Sequence, residues 1–368
     1  MKVRPDETAS ALNKTNTAEC RGRYEAACSC PANATPPVLK TVKAHLRVSG
    51  ISANLLPDLI SSTMRTCDLC GHTDFRPRPF YYTLEGQRLQ GVQCQYCELV
   101  FLDPQPTPAQ LERLYGKEYF TERPNYDRTI QDQKFIEEGA ALDLSKPRAD
   151  KFTDYMLRHY PGRHFRYLEV GCGPGYTLKS LQSLGWETHG LEISAHAAEF
   201  ARTQLGLPVV TGNIETAEDF HESQFDLAYL GDVLEHLLSP SATIAKFQRI
   251  LAPGGLLVLA LPSVLNLPSM RAGFALYSLL GRQRRMDLPP YHLYEFTPTT
   301  IRKMLAKHGF EVVDLLNPVK KPQQIRLGGN PVEQAGKLLG QYPTYLLNQA
   351  TGRFGDRMFV VAKNGKPS

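Results

Sequence analysis

The chain is 368 residues long, with 42% hydrophobic residues, 21% charged residues and a formal net charge of +5. This length is typical of about two domains, and the composition is that of a water-soluble globular protein. The first residues lack the apolar segment of a signal peptide, and no apolar run approaches the roughly 20 residues of a membrane span. We therefore expect a cytoplasmic protein without a membrane span. The modest charge argues against nucleic acid as its partner.

Four of the eight cysteines form two closely spaced pairs, Cys67-x2-Cys70 and Cys94-x2-Cys97. This is the spacing of a four-cysteine zinc ribbon, in which each tight turn directs two thiolates at one ion. In a reducing compartment, metal binding is a better interpretation of these cysteines than disulfides. Four protein ligands leave no open coordination position, so we predict a structural Zn²⁺ without a catalytic role.

The sequence around and after these cysteines predicts short strands and then a helix. FYYTLEG and GVQC have the pattern of ribbon strands, and Thr107 followed by Pro108 marks the start of a helix. Residues 123–147 are charged and show no clear period, so we interpret them as a linker or arm.

From about residue 148, short apolar runs alternate with segments of helical period. Strands that alternate with helices indicate an α/β fold, here Rossmann-like and doubly wound, with a mostly parallel seven-stranded sheet covered by helices on both faces. The predicted strands are 165–170, 186–191, 208–211, 225–230, 256–261, 310–315 and 357–363, and the predicted helices are 148–160, 176–184, 195–205, 241–251 and 298–308.

The predicted organisation therefore has four parts. They are a polar leader at 1–63 that we expect to be disordered, the zinc ribbon with its following helix at 64–122, the arm at 123–147, and the α/β domain at 148–368 with insertions at about 264–290 and 318–356.

The segment LEVGCGPG at 168–175 places Glu169 and three glycines, Gly171, Gly173 and Gly175, directly after an apolar strand. A strand that runs into a glycine turn and then a helix leaves no β-carbon between the backbone and a ligand. A dinucleotide fold would need its third glycine at the position of Tyr176. We therefore predict a cofactor site of another kind.

An acidic residue also ends the second predicted strand, where HGLEIS contains Glu192. A carboxylate at this position can accept hydrogen bonds from both hydroxyls of a ribose. Dehydrogenases place an acid at the same point, so Glu192 predicts nucleoside binding without naming the cofactor.

Later motifs follow the order of a known family. The fourth predicted strand leads, in FDLAYLGDVLEHL, into the acid–histidine pair Glu235-His236, and LAPGGLLVLALPS has the pattern of a helix, a turn at Gly254 and Gly255, and a fifth strand. With the Gly-x-Gly-x-Gly turn and its preceding acid, this order resembles the class I S-adenosylmethionine-dependent methyltransferase family. The resemblance covers roughly residues 148–317 and the last strand.

The resemblance implies S-adenosylmethionine as the cofactor, held by Glu169, the three glycines and Glu192. It places Asn213 beside the adenine, where family members usually carry an aspartate, and it places Asp232 and His236 near the reacting methyl group. The implied activity is methyl transfer to oxygen or carbon of a small-molecule acceptor, such as a sugar nucleotide or secondary metabolite, by a monomer or homodimer.

Methyl transfer asks for a nucleophile held in line with the departing sulfur, and a hydroxyl or an acidic carbon must also lose a proton. Histidine is the side chain best matched to that step near neutral pH. We therefore expect His236 or His292 to act as the general base, with a bond to loop backbone as the alternative for each.

Three alternatives stay open on the sequence alone. The ribbon of an RNA-base methyltransferase would grip nucleic acid, and a non-catalytic scaffold would keep the fold without binding the cofactor. The apolar residues of the insertion at 264–290 recur at near-helical spacing, which fits either a lid on the acceptor pocket or a helix packed on the surface of the protein.

Overall fold

A computed structural model of the chain describes residues 65–114, 140–218, 220–286, 292–321 and 342–366, with the backbone alone for 140–145. All of these residues lie in the unit Ser62–Ser368. The predicted leader at 1–63 lies outside them, as do most of the arm and much of the insertion at 318–356. No helix in the described ranges is both long enough and apolar enough to cross a membrane.

The described residues form twelve strands and seven bounded helices. The strands are β1 (Phe75–Leu84), β2 (Gln87–Cys94), β3 (Val100–Asp103), β4 (Arg166–Val170), β5 (Glu187–Glu192), β6 (Val209–Thr211), β7 (Phe225–Gly231), β8 (Leu251–Pro262), β9 (Arg284–Arg285), β10 (Tyr294–Glu295), β11 (Phe310–Leu316) and β12 (Arg357–Asn364). The helices are Pro108–Leu114, Ala140–His159, Tyr176–Ser183, Ala195–Leu205, Pro240–Ile250, Pro268–Leu279 and Pro298–Lys307, with single 3-10 turns at Leu234–His236 and Val264–Asn266. Residues 342–351 are also helical.

Seven strands form the main sheet in the order β11-β12-β8-β7-β4-β5-β6. β12 pairs antiparallel with both neighbours, and the other pairs are parallel. The predicted Rossmann-like, mostly parallel seven-stranded sheet is confirmed. Because β4, β5, β6 and β7 are parallel, their carboxyl ends meet at one edge, and the turns that follow them can form one site.

Local signals explain why the helix edges were predictable. Ser194 caps Ala195–Leu205 by accepting a hydrogen bond from the Ala197 amide, and Gly206 ends that helix in the left-handed region at φ 64°. Thr297 begins Pro298–Lys307 with a capping box. Both helices begin at the predicted residue.

Two boundaries differ from the prediction. The helix Ala140–His159 begins eight residues before 148 and includes Pro147, so the predicted arm is wrong for 140–147. A proline is most common in the first turn of a helix, which made a later start the natural reading. The predicted turn at Gly254 and Gly255 is instead an irregularity inside β8, where its register with β7 shifts and Gly254 has φ 72°.

The small sheet joins the cysteine-rich segment to the rest of the unit. Its order is β10-β3-β2-β1-β9, so two strands from the second half of the chain flank the three from 75–103. In the insertion, the ring of Phe274 stacks on Phe80 of β1 with centroids 5.4 Å apart. The insertion helix thus packs on the small sheet, and the lid predicted as one alternative is not what the described residues of 264–286 form.

Candidate functional site

The three glycines after β4 differ in what surrounds them, although all have positive φ angles, 71°, 53° and 84°. A Cβ on Gly171 would lie 2.6 Å from Val233, and one on Gly175 would lie 2.6 Å from Leu207. A Cβ on Gly173 would meet nothing within 4 Å. Gly171 and Gly175 therefore allow close packing, and Gly173 is the glycine that leaves open space for a ligand.

Glu192 holds this turn from the end of β5. It is 3% exposed, and its Oε2 accepts a hydrogen bond from the Gly173 amide at 2.7 Å. Its Oε1 accepts from the Ser194 amide at 2.8 Å. Each carboxylate oxygen keeps a second lone pair. The side chain can therefore order the turn and also accept hydrogen bonds from the hydroxyls of a bound nucleoside.

Glu169 lies buried beneath the turn, with 4% of its surface exposed. Burial raises its pKa to about 8, although the Arg148 guanidinium opposes that shift from 3.8 Å, measured between Nη1 and Oε1. Its Oε2 has no hydrogen-bond partner among the described residues. A buried carboxylate with an unpaired oxygen fits a nearby cationic group, such as the amine of an amino-acid moiety.

An open cavity lies at the carboxyl ends of β4 to β7, with about 880 Å³ of empty space including its mouth. This is within the usual range for small-molecule sites, roughly 300–1,000 Å³. Six predicted site residues line it, namely Gly171, Gly173, Glu192, Asn213, Asp232 and His236. Three others do not: Glu169 lies beneath the turn, Gly175 begins a helix, and His292 lies against His236.

Asn213 and Glu215 shape the wall of the cavity after β6. Asn213 Oδ1 accepts a hydrogen bond from the Glu215 amide at 2.9 Å. The Glu215 carboxylate in turn accepts from the amides of Leu238 and Ser239, at 3.2 and 2.7 Å. The oxygen that was expected to face adenine therefore also fixes this turn, and Glu215 is a lining residue that the motifs did not indicate.

Asp232 follows β7 in the left-handed region, at φ 55°, and its carboxylate forms an ion pair with Arg357 of β12. Aspartate tolerates this backbone region better than most residues. No local motif indicated Arg357, because it reaches Asp232 from 125 residues away in the chain. Leu111, from the helix after the cysteine-rich segment, was missed for the same reason, and it lines the cavity.

Glu235, His236 and His292 form a cluster beside the cavity that we call the acid–histidine cluster. The 3-10 turn Leu234–His236 supplies the first two, and the Leu293 amide donates to the Glu235 carbonyl at 2.8 Å, which brings His292 alongside. His236 Nε2 lies 3.7 Å from Glu235 Oε1, and the two imidazole centroids are 5.0 Å apart. The structure thus brings both predicted histidines together.

Carboxylates set the charge of this cluster. Burial raises the pKa of Glu235 to about 8. Burial alone would lower the pKa of His292, but the carboxylates of Glu295 and Glu235 outweigh it and raise that pKa to about 9. The contact with Glu295 joins Oε1 to His292 Nδ1 at 3.3 Å.

The four predicted metal-ligating cysteines converge, as expected. The Sγ atoms of Cys67 and Cys97 are 3.5 Å apart, as are those of Cys70 and Cys94, and all four lie within 4.8 Å of one another. A disulfide would require about 2.05 Å. Four thiolates around one Zn²⁺ at about 2.3 Å would be separated by about 3.8 Å. The donor set and spacing therefore fit a tetrahedral metal site.

The cysteine-rich segment also contacts the α/β half directly. Asp68, between two of these cysteines, accepts a hydrogen bond from the Ser241 amide at 2.8 Å. Lys307 Nζ donates to the Leu69 carbonyl at 2.9 Å. The segment is therefore fixed against two helices of the larger sheet.

Known proteins of this kind support the same assignment. The model of a methyltransferase domain family matches residues 94–315. The ubiquinone biosynthesis O-methyltransferase of Thiobacillus denitrificans is 26% identical over 166 residues, 43% of this chain and 69% of that protein. The O-methyltransferase cnsE of Penicillium expansum is 27% identical over 230 residues, 59% of this chain and 78% of that protein.

Among solved structures, an S-adenosylmethionine-dependent methyltransferase from Archaeoglobus fulgidus superimposes with a TM-score of 0.40 and 18% identity, covering 63% of this chain and 99% of that one. The family match alone spans well over half of the chain, and it includes the glycine turn, Glu192, Asp232 and the acid–histidine cluster. The chain belongs to this methyltransferase domain family, and it is an S-adenosylmethionine-dependent methyltransferase of class I fold.

Proposed function

We propose that this enzyme methylates a hydroxyl oxygen of a small-molecule acceptor, with His236 as the general base. The observation that carries the proposal is that His236 lines the same cavity as Gly173 and Glu192. A proton acceptor therefore lies beside the place where the cofactor fits. The similarity to enzymes named as O-methyltransferases supports oxygen over carbon as the atom that is methylated.

The residues of the cavity fit the cofactor on two independent grounds. Gly173 leaves open space at the strand end, and Glu192 offers free lone pairs to a ribose. Glu169 would favour the amino group of the cofactor, since its buried carboxylate lacks a full set of partners. Bound there, S-adenosylmethionine supplies an electrophilic methyl group on a sulfonium.

His236 would take the proton of the acceptor hydroxyl as the oxygen attacks. Its imidazole is beside the Glu235 carboxylate, which would stabilise the imidazolium that forms. Asp232, paired with Arg357, would stay ionised and orient the acceptor at the mouth of the cavity. The apolar lining, including Leu111 and Leu237, would exclude water from the reacting atoms.

A small acceptor fits this cavity better than RNA does. Among the described lining residues, Glu192, Glu215 and Asp232 are acidic and none is lysine or arginine. A phosphate backbone needs cationic partners, whereas a sulfonium is favoured by carboxylates. This charge pattern supports a neutral or cationic acceptor.

The four-cysteine cluster is proposed to hold a structural Zn²⁺. Its four sulfur donors would complete a tetrahedral site without an open position, and its segment is fixed to the α/β half through Asp68. Thiolates that bind metal persist in reducing compartments, in keeping with the expected cytoplasmic location.

The direct test is transfer of an isotopically labelled methyl group from S-adenosylmethionine to pooled hydroxylated metabolites, read as a mass gain of one methyl. Products stable to mild hydrolysis of esters would be ethers. His236→Ala should lower turnover by about 100-fold or more, the usual range for a lost general base, with cofactor affinity nearly unchanged. Equal losses of turnover and of cofactor affinity would remove the proposed role of His236, and labelling of carbon only would overturn O-methylation.

A further inference from the structure

We infer that the acid–histidine cluster is a divalent-cation site, separate from the four cysteines. One ligand atom from each of Glu235, His236 and His292 lies within 4.8 Å of the others. The groups come from two chain segments that a backbone hydrogen bond joins at Leu293. Their convergence is therefore fixed by the fold and does not depend on flexible side chains meeting by chance.

Glu235 gives the second, independent indication. Its side chain is 1% exposed, and neither carboxylate oxygen has a hydrogen-bond partner among the described residues. Burying a carboxylate without partners is costly, and such groups in proteins pair with cations or bind metals. Both oxygens are thus available to an ion held between the two imidazoles.

The donor set matches the chemistry of divalent transition metals. Two imidazoles and one carboxylate are the ligands of many catalytic Zn²⁺ sites and of non-haem iron sites, and they leave positions open. Ligand atoms about 2.1 Å from a tetrahedral ion are separated by about 3.4 Å. The observed 3.7 Å from His236 Nε2 to Glu235 Oε1 is within a few tenths of an ångström of that separation.

Glu295 completes the arrangement from behind His292. Its Oε1 lies 3.3 Å from His292 Nδ1, and its side chain is largely buried. Histidines that bind metals usually donate their other ring N–H to a carboxylate, which fixes the ring. Glu295 has this place relative to His292.

The position of the cluster indicates what the open coordination positions would bind. His236 and Asp232 line the cavity, so an ion on His236 would face it. On the proposed function, the ligand would be the acceptor itself, through one hydroxyl or two neighbouring oxygens. A cation lowers the pKa of a hydroxyl bound to it, which then releases its proton to solvent at the mouth of the cavity. In the loaded enzyme the imidazoles are ligands, and direct proton transfer to His236 applies to the ion-free site.

The test is cation binding by the full chain, with Zn²⁺ already supplied to the cysteines, followed by titration with Mn²⁺ and, in parallel, with further Zn²⁺. Mn²⁺ prefers oxygen and nitrogen ligands to thiolates, and its free form is measured by electron paramagnetic resonance. The wild type should bind one additional ion. His292→Ala and Glu235→Gln should each weaken it by at least about 10-fold, and His292→Ala guards against misfolding at the more buried Glu235.

His189→Ala is the matched control, because His189 also pairs with a glutamate, Glu187 at 2.9 Å, but outside the cavity. It should bind the additional ion like the wild type. Absence of an additional ion in the wild type, or binding that persists in folded His292→Ala, would overturn the site. Cofactor affinity and methyl transfer are measured separately. Ion binding with no dependence of activity on the ion would leave the site intact and remove only its link to the acceptor.

Discussion

Asp68 caps a helix that belongs to the other sheet: its Oδ2 accepts a hydrogen bond from the Ser241 amide at 2.8 Å, in the first turn of Pro240–Ile250. Ser239, at the cap position of that helix, makes no capping bond through its own side chain. The cysteine-rich segment therefore supplies a partner that the helix does not find locally.

Replacing Asp68 by alanine should destabilise the protein. A lost cap costs about 1 kcal/mol, and the Ser241 amide is left without its carboxylate partner. Urea unfolding of Asp68→Ala should show this loss at an unchanged m-value. Asp74→Ala is the control, because Asp74 is exposed and its side chain binds only Gln95 among the described residues. Equal stability of the two variants would contradict the capping role.

Removal of metal from the four cysteines should weaken both the fold and cofactor binding. Leu111 lines the cavity from the helix after β3, so loss of the ribbon changes a wall of the site. Cys94→Ser should lower the melting temperature and the affinity for S-adenosylmethionine. Cobalt substitution in the wild type should give the absorption of thiolate-bound Co²⁺, which this variant loses. A wild type without sulfur-bound metal, by this spectrum and by metal analysis, would end the zinc assignment.

Gly173→Asp should abolish cofactor binding and leave the protein folded. Aspartate tolerates the left-handed region, and the new side chain would enter the open space beside Glu192. The expected loss of affinity is about 100-fold or more, measured by titration calorimetry. Gly206→Asp is the matched control, since Gly206 has φ 64° and open surroundings but ends a helix outside the cavity. Unchanged affinity in Gly173→Asp would contradict the assignment of the site.

Glu169 should make stability depend on pH. Its pKa is raised to about 8 by burial, above the ordinary 4.5 of the unfolded chain. Between these values the folded protein holds a proton that the unfolded chain has lost, so stability is full below about pH 4.5 and falls as pH rises through 8. Glu169→Gln cannot titrate and should remove this part of the decline.

The measurement is urea unfolding of ligand-free wild type and Glu169→Gln at several pH values from 5 to 8.5. The difference between the two proteins isolates Glu169 from other buried acids. Parallel curves across this range would show that Glu169 does not carry the predicted shift.

The main sheet and most of the strand-end residues were predictable because their signals are local. Gly173, Glu192 and Asp232 follow apolar strands directly, and parallel strands bring such ends to one edge. The small sheet was only half predictable. β9 and β10 are two residues each, too short to give a pattern, and they pair with β1 and β3 from distant parts of the chain.

Residues that act across the fold could not be read from any motif. Arg357 meets Asp232 only because β12 lies beside β8. Leu111 reaches the cavity because the small sheet is fixed to the larger half. The cluster of Glu235 with His292 depends on one backbone contact at Leu293. Pairing across such separations is decided by packing, which a single sequence does not display.

The shared small sheet bears on how this enzyme can be re-engineered. Tyr294 and Glu295 form the edge strand beside β3, and Arg284 and Arg285 form the opposite edge beside β1. Deleting residues 65–103 would strip both edge strands of their hydrogen-bond partners and bare the ring of Phe274. A chimera that swaps the cysteine-rich segment would have to carry 274–295 along with it, because the two stretches are one structural unit despite their distance along the chain.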